Sequence, residues 1–108
     1  MRLNKSDTLH LEAAKGWLSL GESAEAEAEL ANIDPRKLSD YWHLDLLWTV
    51  HRDQQNWAKC LDISASMAKC KPMLPEAMLC RSQALHKLGR TAEAWKTLRP
   101  IAKHRPTW

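Results

Sequence analysis

Cys60, Cys70, Cys80, His10, His43, His51, His86 and His104 are the side chains best suited to acid–base, nucleophilic or metal chemistry at neutral pH. The cysteines lie ten residues apart, with no CxxC pair to hold a tetrahedral zinc ion or run a dithiol exchange. Their odd number is a poor basis for a disulfide scaffold and fits buried or inert thiols in a reducing cytoplasm. Cys60 falls where a small core residue is expected. His10 and His51 lie on apolar stripes, where a hydrogen-bonded core histidine is the ordinary outcome. His43, His86 and His104 read as surface residues. No Ser–His or Cys–His pair stands out, and a triad is defined by geometry that composition cannot supply. The HExxH pattern and a glycine-rich phosphate loop are both missing from the sequence. These residues point to a non-catalytic protein with no metal and no cofactor.

Charge narrows the partners. The 108-residue chain carries a formal charge of +3, unevenly spread. Residues 1–40 hold eight acids and five bases, residues 41–80 balance, and residues 81–108 hold seven bases and one acid. The basic end reads either as a solvated helix face or as a surface for an acidic partner, including the acidic end of a second copy. No segment is long and apolar enough to cross a bilayer, and the first residues lack the apolar core of a secretion signal. The length suits one small domain. With no phenylalanine and one tyrosine, the six tryptophans must carry much of the large-residue core.

The elements that would position these residues are helices. Glycine is scarce and proline sits mostly near segment ends. Residues 1–6 read as a leader and 7–20 as a first helix, with Leu9, Ala13, Gly16, Trp17 and Leu20 forming one apolar stripe. Ser23 is placed to cap a second helix over 24–33, and Asp34-Pro35 stops it early. Further helices are expected over 41–51, 57–70, from Pro75 to the glycine at 89, and over 91–104. Pro100 should end or kink the last one.

A period of thirty-four residues joins these pieces. Gly89 falls on Gln55 and Gly21; Ala94 on Cys60 and Ala26; Ile101 on Met67 and Ile33; Pro106 on Pro72. Self-similarity at this interval marks a repeat architecture. The segments LHKLGRTAEAWKTL and WLSLGESAEAEAEL, with a degenerate middle copy HRDQQNWAKCLDIS, resemble the tetratricopeptide repeat family. The resemblance covers nearly the whole chain. It implies an all-α, right-handed superhelical solenoid of three antiparallel helical hairpins, over residues 7–40, 41–74 and 75–108. The closing proline of the first copy is displaced, so a longer loop is expected there.

The resemblance also implies a concave groove that holds a peptide or an amphipathic helix. Projected onto this sequence, it is lined by Thr8, Leu11, Lys15 and Leu18, then Trp42, Asp45, Thr49 and Arg52, then Leu79, Gln83 and His86. Trp42 either anchors the partner or packs on the loop at Pro35. The family's carboxylate clamp is absent, because its places hold Leu11, Lys15, Leu46, Glu76 and Cys80. Each repeat buries its apolar face on the next. With nothing after the third hairpin, Leu85, Leu98, Ile101 and Trp108 are expected to form an exposed face. Further repeats, a second copy or a separate protein would cover it. The function expected is therefore protein–protein interaction in the cytoplasm, as adaptor, scaffold or small chaperone. The alternative is an RNA-binding helical repeat that uses the basic third copy.

Overall fold

The computed structural model describes residues 2–72 and 74–104, and among these it has six α-helices and no strand. The chain forms two compact units, Met1–Asn56 and Trp57–Trp108. The first holds α1 (Lys5–Ser19), α2 (Ser23–Leu30), a 3₁₀ turn (Pro35–Leu38) and α3 (Tyr41–Asp53). The second holds α4 (Trp57–Cys70), α5 (Pro75–Lys87) and α6 (Thr91–His104).

In the first unit α1 packs on α2 and α2 on α3. Leu11, Ala14, Ala26, Leu30, Ile33, Leu38 and Val50 form the core, with Leu3, Trp17, Leu18, Leu46 and Leu47 packed against it. The helix begins earlier than the sequence suggests. Asn4 caps α1 by accepting from the Asp7 backbone N–H at 2.8 Å, and the Asp7 carboxylate accepts the Asn4 N–H at 2.9 Å. This reciprocal box satisfies two otherwise orphaned donors. Asn4, Lys5 and Ser6 thus belong to the first helix and its cap. The α1 stripe also divides. Leu11 and Ala14 face the core, whereas Leu9 and Leu20 are 65% and 72% exposed. Ser23 is the first helical residue of α2 and not its cap; the N-cap is Glu22, which makes no side-chain cap hydrogen bond. The loop after α2 contains the 3₁₀ turn, capped by the Asp34 side chain on the Arg36 N–H.

In the second unit α5 packs on both α4 and α6. Cys60, Ile63, Ser64 and Met67 of α4, Ala77, Ser82, Ala84 and Leu85 of α5, and Ala94 and Ile101 of α6 are buried. The helix runs through Pro100 to His104 instead of stopping. Proline removes one backbone donor there, and the turns on either side remain helical.

The three helix ends at the thirty-four-residue interval share one geometry. Gly21, Gln55 and Gly89 have φ of 76°, 59° and 81°. Their N–H groups donate to Leu18, Arg52 and His86, and the next N–H donates to Trp17, His51 and Leu85, all at 2.8–3.0 Å. This paired 5→2 and 6→1 pattern is the Schellman close of a helix. The in-phase positions share burial as well: Ala26, Cys60 and Ala94, and Ile33, Met67 and Ile101, are all buried.

Candidate partner-binding groove

The second unit carries an open apolar groove of about 360 Å³ between α5 and α6. Leu79, Ser82, Gln83 and His86 line it from α5, and Thr91, Ala94, Trp95 and Leu98 from α6. On each helix these positions recur at three- and four-residue steps, so they share one face. Beneath them Ser82 Oγ donates to the Ala94 carbonyl at 3.2 Å and ties the helices together. At one end His86 Nδ1 lies 3.2 Å from Thr91 Oγ1. Trp95 is 56% exposed, an aromatic face held at the groove's edge. A helix of 10–12 Å diameter and two turns' length occupies about 900 Å³. The groove is therefore smaller than such a helix, with room for one edge of it.

The projected groove residues divide. Leu79, Gln83 and His86 come together in this groove. Leu11 is a correction: expected on an open groove, it is buried in the first unit's core with Ala26 and Leu30 of α2. Leu18 likewise packs against that core. Thr8 is exposed and donates to the Asn4 carbonyl at 3.1 Å, while Lys15 is exposed and pairs with Glu12 at 3.3 Å. On α3 Trp42 is 66% exposed, edge-to-face with Tyr41 at 5.1 Å. Thr49 Oγ1 donates to the Asp45 carbonyl at 2.9 Å. Partial burial raises the Asp45 carboxyl above its ordinary value, opposed by the nearby Arg52 charge. Arg52 lies 5.6 Å over the Trp48 ring and reaches the Asp53 carboxylate at 3.1 Å.

The expected terminal face is also corrected. Leu85 and Ile101 are buried within the second unit, because α5 and α6 turn them inward. Leu98 is half-buried and lines the groove. Trp108 lies outside the described residues. Trp95 also lines the groove, four residues from Thr91 and three from Leu98, a spacing already visible in the sequence.

Of the candidate chemical groups, Cys60 is buried as expected. His10 Nδ1 lies 2.7 Å from Glu29, whose carboxyl is lowered chiefly by that hydrogen bond. His51 is buried, 4.0 Å from Glu27. His43, expected at the surface, is half-buried. His86 is exposed, and the His104 side chain lies outside the described residues. Among the described residues no group of His, Cys, Asp and Glu is placed to hold a metal ion. No helix there is long and apolar enough to cross a membrane. Set against known proteins, the chain matches no family model, no curated protein and no solved structure.

Proposed function

We propose that this chain is a non-catalytic protein–protein interaction module, an adaptor, scaffold or small chaperone of the cytoplasm, that holds the apolar edge of a helix. The observation that carries the reading is the groove of Leu79, Ala94, Trp95 and Leu98 between two helices already packed on each other. Apolar side chains at three- and four-residue steps on both walls suit the stripe of an amphipathic helix. The three alike Schellman turns at a thirty-four-residue interval support a tetratricopeptide-like arrangement. Stacked in register, such hairpins would form the right-handed solenoid that the sequence suggests.

The test is capture by the full chain, compared with Trp95→Ala, Leu79→Ala and Trp42→Ala. A buried aromatic anchor costs about 2 kcal/mol or more on truncation, so Trp95→Ala should weaken a captured partner about thirtyfold, and Leu79→Ala should weaken it to a smaller extent. Undiminished capture by both at unchanged helicity overturns the groove assignment. Recovery of nucleic acid, with affinity falling log-linearly as salt rises, would favour the RNA reading through the basic helices. That reading has one specific support, a second hollow of about 280 Å³ lined in part by Arg81 and Lys96.

A further inference from the structure

We infer that the groove between α5 and α6 receives α1 of a second copy of this chain, so that copies add head to tail. The inference rests on reading the groove as a protein-docking site and names its occupant. Leu9, Ala13, Gly16 and Leu20 fall at steps of four, three and four, and so share one face of α1 and its cap. Leu9 and Leu20 are the more exposed of the large apolar residues on that helix and its cap, and Ala13 is half-buried. A Cβ added at Gly16 would meet nothing within 4 Å, so this point of the helix is open to close approach. Leu9 to Gly16 covers two turns, about 10 Å. Leu79 to His86 and Thr91 to Leu98, the groove's two walls, each cover the same length. An apolar edge on one unit and an apolar groove on the other thus match in length and in helical step.

Net charge favours a second copy as the occupant. The first unit carries ten acids and six bases, with Glu22, Glu25, Glu27 and Glu29 clustered at α2. The second carries ten bases and three acids. A contact between the first unit of one copy and the second unit of another joins unlike charges, which steers encounter and fixes orientation. Groove against groove would bring together two units of net positive charge, so the paired-groove arrangement is disfavoured. A head-to-tail contact is heterologous and leaves one free face at each end. It adds copies without a fixed limit unless the rotation closes a ring.

Sedimentation equilibrium of the full chain tests this, with circular dichroism as the folding control. The expected result is an average mass that rises with concentration and falls when salt is raised from low to high. Leu9→Lys spoils the stripe and spares the groove. Trp95→Ala combined with Leu79→Ala spoils the groove and spares the stripe. Each variant alone should lose self-association about thirtyfold or more. Mixed together, they should form a one-to-one pair that grows no further. A monomer at every concentration overturns the inference, as does Leu9→Lys self-associating as strongly as the unaltered chain. If the chain stays monomeric yet captures another protein's helix in a Trp95-dependent way, this inference falls and the proposed function stands. If it neither self-associates nor captures a helix, both fall.

Discussion

Gln55 holds a left-handed backbone at φ 59°, which glycine adopts at the two equivalent turns. A side chain at that φ costs roughly 1–2 kcal/mol through the approach of Cβ to the carbonyl. Glycine removes that strain but loses more chain entropy on folding, about 0.5–1 kcal/mol. Gln55→Gly is therefore expected to stabilise by about 0.5–1 kcal/mol, and Gly89→Ala to destabilise by about 1 kcal/mol. Urea midpoints at constant slope measure both. Equal midpoints for Gln55→Gly and the unaltered chain would show that the turn relaxes around glutamine at no cost. This turn was legible only through the period. Nothing in Gln54-Gln55-Asn56 announces a left-handed residue, but phase with Gly21 and Gly89 does. Trp95 is hidden for a related reason: the thirty-four-residue pattern marks the small and apolar places, and Trp95 lies just beside one of them, Ala94.

Among the elements, α1 shows where sequence reading reaches its limit. Its apolar residues fill two faces, Leu11, Ala14 and Leu18 on one and Leu9, Gly16 and Leu20 on the other. Periodicity alone cannot say which face meets α2: of the stripe at Leu9, Ala13, Gly16, Trp17 and Leu20, Trp17 packs against the core while Leu9 and Leu20 lie in solvent. Leu85 differs in the opposite sense: the lack of a following repeat implies exposure, whereas packing within the second unit buries it. The start of α1 was hidden in a segment that reads as a leader, since the cap depends on Asn4 and Asp7 answering each other. Asp7 also accepts from Lys37 Nζ at 2.7 Å and joins α1 to the residues of the 3₁₀ turn. That hydrogen bond is the main cause holding its carboxyl below the ordinary 3.8, helped by the Asn4 backbone. A lowered carboxyl stabilises the fold fully above about pH 4 and loses that contribution as pH falls through the folded value. Asp7→Asn should thus unfold at lower urea than the unaltered chain at pH 7. The gap between them should narrow as pH drops from 5 to 2. A gap that stays constant with pH would assign the effect to side-chain fit and not to the charge.

At the scale of the whole chain, the division into units at Asn56 bears on how stability is shared. The first unit's core cluster draws all its residues from Leu3 to Val50, and α5 in the second unit packs on helices of that unit on both sides. Helical repeats hold together by nearest-neighbour contacts, so a local loss need not spread through the chain. Leu85 is 1% exposed at the centre of the second unit, and Leu85→Ala there should cost about 2–5 kcal/mol, as a leucine cavity does. Native-state hydrogen exchange reads where that loss appears, since amides report the opening of their own cooperative unit. Protection should fall in α5 and α6 by a factor that reflects the full cost, while α1 and α2 keep most of theirs. An equal fall in α1 and α2 would mean that the two units unfold as one. Any docking at the α5–α6 groove would then stabilise the first unit as strongly as the second.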